Sequence, residues 1–118
     1  MKLHLHVKAS YFAEIKAGTK TEEYREQTRY WQRRLTHPVA NSTEIVRREY
    51  EGIVIYNAYK AGPENRIEFP WRGFTYQVIN HHHFGNRNTQ VFAIKLQTHE
   101  ALAREITARN IAALKATP

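Results

Sequence analysis

The chain has 118 residues, which is the size of one small domain with its own hydrophobic core. It contains no cysteine, so disulfide bonds and thiolate metal ligands are excluded, and this composition fits a cytoplasmic protein. Its 18 Lys and Arg residues outnumber its 11 Asp and Glu residues, and the formal net charge of +7 favours a polyanionic partner such as nucleic acid. No apolar run is long enough to span a bilayer, so no membrane partner is expected.

The first elements in chain order are a strand and a helix. Residues 2–8 alternate apolar side chains with histidines, which is the pattern of a half-buried strand. Ser10 is placed to cap a helix over 10–17, and Gly18 is placed to end that helix in the left-handed conformation. The chain is therefore expected to turn immediately after Gly18.

A strongly charged extended segment is expected next, over 21–25. Period 2 places Glu23 and Arg25 on one face of this segment, and Lys20 and Glu22 on the other. A strand that faces a core carries apolar residues there, so at least one of these charged sets must be paired and hydrogen-bonded or must line a cleft. The alternative is a solvated edge strand whose charges guard against aggregation.

Strands outnumber helices in the rest of the chain. Helices are expected over 30–35 and from a cap at Thr98 to about Lys115, and strands over 50–56, 66–69, 74–79 and 90–96. The polar segment 80–89 is expected to be a long surface loop in which His81, His82 and His83 are solvated. Residues 1–97 are expected to form one domain, on which residues 98–118 pack as a C-terminal helix.

Arginines are concentrated in one quarter of the chain, together with aromatic residues. The arginines are Arg25, Arg29, Arg33, Arg34, Arg47 and Arg48, and the aromatic residues are Tyr24, Tyr30 and Trp31. Guanidinium groups bind phosphates and aromatic rings stack on unpaired bases, so this mixture favours single-stranded or flipped-out nucleotides over duplex grooves. The alternative is an ordinary basic helix with Trp31 packed inward.

Gly18, Lys20, Glu23 and Arg25 have an informative spacing. Together they resemble the signature of ASCH domains, in which a helix ends at glycine and a lysine, a glutamate and an arginine follow. The fold that this resemblance implies is α+β: a small, mostly antiparallel PUA-like β-barrel with flanking helices.

The resemblance covers roughly residues 3–96. Segments 23–26, 30–31 and 34–35 are similar to the phage and prophage branch of the family, and segment 91–96 is similar to its closing strand. The Tyr-Asn-Ala-Tyr sequence at 56–59 stands where those proteins usually have Arg-Asn-Gly-Tyr. Ala58 therefore replaces a glycine, and the turn at this position is expected to be altered.

The resemblance implies an RNA-binding domain that recognises single-stranded or modified nucleotides in a basic cleft. RNA or a modified nucleoside is the expected partner, and no cofactor or metal is expected. A homodimer is one possible oligomeric state of the chain. The residues expected to bind nucleic acid are Arg25, Arg29, Tyr30, Arg33, Arg34, Asn57 and Tyr59.

Lys20 and Glu23 are the candidate catalytic pair. A lysine held away from water can act as a base or nucleophile, while a carboxylate orients it or carries a proton. The alternative is a salt-bridge network of Lys20, Glu23 and Arg25 that only holds the mouth of the barrel.

Two further functions stay open. The resemblance also implies a small hydrolase, because relatives hydrolyse acylated cytidines such as N4-acetylcytidine or cleave single-stranded RNA. The amidohydrolase branch has threonine where this chain has Glu23, and it uses a carboxylate before the closing strand, where residues 80–90 contain none. The other open function is a phage-type module for protein interaction.

Overall fold

The computed structural model describes residues 1–96 and 99–116, and in these residues it has an α+β fold of three α-helices and eight strands. The helices are α1 (Ala9–Ala17), α2 (Arg29–Leu35) and α3 (His99–Ala116). The strands are β1 (Leu3–Val7), β2 (Glu22–Glu26), β3 (Thr36–Pro38), β4 (Ile45–Arg47), β5 (Ile53–Asn57), β6 (Arg66–Phe69), β7 (Phe74–Asn80) and β8 (Asn88–Lys95).

The strands form two three-stranded sheets and one hairpin. The first sheet has the order β1-β5-β6, in which β1 is parallel to β5 and β6 is antiparallel to β5. The second sheet has the order β2-β8-β7 and is antiparallel throughout, and β3 pairs with β4 in an antiparallel hairpin. Within the described ranges, hydrogen-bonded pairing does not join these sheets into one closed barrel.

One hydrophobic core joins the two larger sheets. β1 buries Leu3, Leu5 and Val7 and leaves His4 and His6 exposed, as the alternation of a strand requires. The other members of the core are Phe12 and Ile15 of α1, Leu35 of α2, Ile53 and Ile55 of β5, Phe69 of β6, Phe74 of β7, Phe92 and Ile94 of β8, and Leu96. Both sheets and two helices are therefore stabilised by the same buried apolar surface.

The start of α1 and the connections between strands differ from the sequence expectations. The predicted cap at Ser10 is wrong, because the Phe12 N–H donates to the Lys8 carbonyl at 2.9 Å and Lys8 holds the N-cap position. The β3–β4 hairpin is absent from the sequence expectations, since strands of three residues are too short to show alternation. The loop expected over 80–89 is shorter, because β7 and β8 pair as far as Asn80 and Asn88.

The C-terminal helix is described only in part. The cap predicted at Thr98 lies outside the described residues, and the side chains of α3 at 104 and 106–114 are exposed. The packing of this helix on the domain stays a prediction. In the residues that the structure covers, no helix has both the length and the apolar content needed to cross a bilayer.

A residue in the left-handed backbone conformation follows α1, and another follows β5. Gly18 has a φ of 82° and ends α1, and the N–H groups of Thr19 and Lys20 then donate to the Glu14 carbonyl at 3.0 and 3.2 Å. Ala58 follows β5 with a φ of 50°. The left-handed conformation of this turn is therefore present without a glycine.

Exchanging the residue types at these two positions is expected to change stability in opposite directions. Gly18→Ala places a Cβ on a left-handed backbone and is expected to lower the free energy of unfolding by about 1 kcal/mol. Ala58→Gly removes that strain and is expected to raise it by about 0.5 kcal/mol, after the larger entropy loss of glycine. Urea unfolding with an unchanged m-value measures both effects, and destabilisation by Ala58→Gly would contradict the strain at this turn.

Candidate functional site

A cleft of about 330 Å³ opens beside the charged strand β2. Its wall includes Glu23 and Arg25 from β2, His6 from β1, Tyr11 from α1 and Trp31 from α2. β2 follows α1 after the tight turn that ends that helix, and β2 pairs with β8. The cleft therefore gathers polar and aromatic side chains from four elements.

Glu23 is the most deeply buried charged residue in this wall, with 5% of its surface exposed. Its Oε1 accepts a hydrogen bond from the Tyr24 N–H at 3.1 Å. Its Oε2 has no hydrogen-bond partner among the described residues, although Arg25 Nη2 lies 3.8 Å away. Buried carboxylate oxygens are normally satisfied, so this oxygen is a free acceptor beside the cleft.

Burial raises the pKa of the Glu23 carboxyl above its ordinary value, while Arg25, Lys20 and the Tyr24 N–H act in the opposite direction. Removal from water therefore outweighs the attraction of the two cations for the ionised carboxylate. The ionised form of Glu23 destabilises the fold relative to the protonated form.

Arg25 is fixed by two contacts. Its guanidinium lies 4.9 Å from the centre of the Trp31 ring, and Nη2 donates to the His6 carbonyl at 2.9 Å. Trp31 is placed by the cap of α2, because the Thr28 hydroxyl accepts from the Trp31 N–H at 3.4 Å. Burial lowers the pKa of Arg25 from a high ordinary value, so the group stays cationic at neutral pH. The cleft therefore holds a pre-positioned cation on an aromatic face.

Lys20 lies next to the cleft and faces a small adjoining cavity. Its Nζ is 4.9 Å from the centre of the Tyr24 ring, 5.2 Å from that of Tyr11 and 4.0 Å from Glu23 Oε1. The last distance is too long for a hydrogen bond. The cavity also has His83 in its wall, and only 14% of the Lys20 side chain is exposed. Lys20 and Glu23 are thus close but not directly bonded.

A stack of four rings leads from the cleft across the outer face of β1 and β5. Tyr59 stacks on His6 at 4.4 Å, His6 stacks on Tyr56 at 4.8 Å, and Tyr56 stacks on His4 at 5.8 Å. His6 is held in place because its Nδ1 lies 2.7 Å from the Ala58 carbonyl oxygen. Tyr59 is 88% exposed and is not among the residues that line the cleft, so this end of the stack is open to solvent next to His6.

The other residues predicted to bind nucleic acid are dispersed around the cleft. Tyr30 packs its ring edge-on against Trp31, and the Arg34 guanidinium lies 5.6 Å from that same ring. Arg29 is exposed and does not line the cleft, whereas Arg33 lies in a second groove. The Asn57 amide donates to Asn65 Oδ1 at 3.1 Å and is also outside the cleft wall.

His6, Tyr11 and His83 line the cleft but are not among the predicted site residues. The alternation of β1 predicts that His6 lies on the solvent-facing side of the strand, but it does not predict which other elements lie near that side. His82 and His83 are exposed, as expected for this segment, and the partial burial of His83 lowers the pKa of its imidazole. Among residues 1–96 and 99–116, no three His, Asp or Glu side chains are grouped so as to hold a metal ion.

Comparison with known proteins identifies no relative of this chain. No family model matches it, and neither a curated protein nor a solved structure is significantly similar. The resemblance carried by Gly18, Lys20, Glu23 and Arg25 therefore stays a prediction.

Glu23→Gln is expected to stabilise the protein at neutral pH. The raised pKa means that the stability contributed by protonated Glu23 is present below its ordinary pKa of 4.5 and is lost as the pH rises through the folded-state value. The difference in unfolding free energy between variant and wild type should therefore grow from about pH 4 to pH 7, as measured by urea titration.

Glu44→Gln is the matched control for this experiment, because Glu44 is exposed and its carboxylate has no ion-pair partner in the described residues. It should leave the pH dependence unchanged. A Glu23→Gln variant that is less stable than wild type at pH 7 would contradict the dominance of burial over pairing.

Proposed function

We propose that this chain is an RNA-binding domain of the ASCH type that holds a single-stranded or modified nucleotide in the cleft. The observation that carries the proposal is the unsatisfied Oε2 of Glu23 beside the Arg25–Trp31 pair. An acceptor, a fixed cation and flat faces are the three groups that a nucleotide needs. A volume of about 330 Å³ also falls within the range of small-ligand sites.

Each of these groups has a distinct role in the proposed complex. The Oε2 of Glu23 accepts an N–H from the base edge, which replaces the hydrogen bonds that burial removed. The Arg25 guanidinium, which lies over the Trp31 ring, provides a stacking face and a positive charge for the negatively charged strand. Tyr59, which stacks on His6 of the cleft wall, offers a second stacking face. The net charge of +7 assists association with a polyanion.

The proposed fold is a PUA-like barrel. Strand pairing that is mostly antiparallel, two sheets that share one core, and a helix that ends at Gly18 shortly before the charged strand support this proposal. The strand that bears Glu23 and Arg25 would then form part of the mouth of the barrel.

Arg25→Gln is expected to weaken binding of a labelled single-stranded RNA by about tenfold, because it removes a fixed charge and a stacking face. Fluorescence anisotropy at constant salt concentration measures this change. The matched control is Arg104→Gln, since Arg104 lies exposed on α3 and outside the cleft.

Equal weakening by Arg25→Gln and Arg104→Gln would reduce the interaction to nonspecific charge attraction. RNA and nucleosides that bind no better than heparin would instead favour a phage-type protein-interaction module.

A small hydrolase that acts on N4-acylcytidine or single-stranded RNA is the second candidate. The proximity of Lys20 to Glu23, with both side chains largely withdrawn from water and His83 in the wall of the same cavity, favours it. In amide hydrolysis, a base would take a proton from water as the water oxygen bonds to the acyl carbon. The C–N bond then breaks, and the departing cytidine amine receives a proton.

Lys20→Ala is expected to abolish product formation from N4-acetylcytidine and from labelled RNA if the hydrolase proposal holds. Lys16→Ala is the matched control, because Lys16 is an exposed lysine of α1 outside both cavities. Turnover by purified Lys20→Ala at the wild-type rate would refute a catalytic Lys20. Binding without any product would leave a recognition domain.

A further inference from the structure

A second groove of about 340 Å³ lies at the C-terminal end of α2 and carries three arginines. Its lining includes Arg33, Arg34, Arg48, His37 and Tyr50. Glu49 is the one carboxylate among the residues that line it. The groove therefore has an excess of positive charge that suits an anionic ligand.

The arginines in this groove differ in what holds them. Arg48 Nε donates to the carbonyls of Arg33 and Thr36 at 2.9 and 3.1 Å, so its guanidinium is fixed at the end of the helix. The Tyr50 hydroxyl donates to the Arg34 carbonyl. Arg33 is exposed, and its side chain makes no hydrogen bond or ion pair with the described part of the chain. Arg33 is therefore available to a ligand without breaking a contact of the fold.

Trp31 connects this groove to the cleft. The Arg25 guanidinium in the cleft lies 4.9 Å from the Trp31 ring, and the Arg34 guanidinium of the groove lies 5.6 Å from the same ring. Each of the two cationic surfaces therefore has an arginine next to Trp31. A strand with its base in the cleft would reach the groove by passing Trp31 and Tyr30.

We propose that this groove binds the phosphodiester backbone of the RNA whose nucleotide occupies the cleft. The groove residues that would contact phosphate are Arg33, Arg34 and Arg48. The inference rests on the proposed function and extends the binding site beyond one nucleotide. Guanidinium groups bind phosphate oxygens in a bidentate manner, which accounts for the concentration of arginine here.

The groove on the outer face of β1, β5 and β6 is a weaker candidate for the same role. It is lined by Lys2, Arg66, Glu68 and His4, and Lys2 is paired with Glu68. Fewer uncompensated cations are therefore available there to replace the counterions of a phosphate chain.

The test measures how affinity grows with the length of the RNA. Wild-type protein should bind an octanucleotide at least tenfold more tightly than a mononucleotide of the same base. Arg33→Gln should lower octanucleotide affinity about fivefold, leave mononucleotide affinity unchanged and reduce the salt slope by about 0.7. Arg33→Lys should keep the wild-type salt slope but recover only part of the affinity, because lysine keeps the charge and loses the bidentate geometry.

Arg66→Gln and Arg104→Gln are the matched controls and should leave the length dependence intact. Loss of the length dependence in Arg66→Gln instead of Arg33→Gln would overturn the proposal and place the backbone across the outer sheet face. If Arg25→Gln weakens mononucleotide binding but longer RNA binds no more tightly, the proposal for the groove is overturned and the proposal for the cleft stands. Failure of both ligands to bind would overturn the proposed function itself.

Discussion

The burial of the Glu23 carboxylate is the constraint on which the site depends. A charged residue in a half-buried strand needs partners, and here the partners come from the same short segment, Lys20 and Arg25, and from the backbone of Tyr24. These partners do not satisfy Oε2, and the carboxyl is left with a raised pKa. Ionisation of Glu23 is thus disfavoured at the cleft, and a hydrogen-bond donor placed on Oε2 would reduce this penalty.

The aromatic residues around the site hold its cationic side chains in defined positions. Trp31 fixes Arg25 on one side, and Tyr11 and Tyr24 flank the Lys20 ammonium on another. Flat rings limit the positions that the long cationic side chains occupy, so the entropy of ordering them is already spent before any ligand arrives. The cleft is accordingly pre-organised by packing as much as by ion pairs.

Local patterns predict the elements of this site, but not their neighbours across the fold. The glycine end of α1, the charged strand and most of the other strands follow from periodicity and from the conformational range of Gly18. The roles of His6, Tyr11 and His83 depend on three elements meeting at one place, which no local pattern encodes. Asn57 shows the converse: its amide suits a base edge, but the nearby Asn65 engages it. The Ser10 cap fails because the first turn begins two residues earlier, at Lys8.

The pairing of β2 has a consequence for synthesis of the protein on the ribosome. Glu22 pairs with Lys95 and Glu26 pairs with Val91. The charged strand β2 is therefore hydrogen-bonded to β8, which comes much later in the amino-acid sequence. Contacts so distant in sequence form late and slowly. A nascent chain therefore emerges with its most basic segment exposed, and its cleft stays incomplete until β8 has been translated and has joined the sheet.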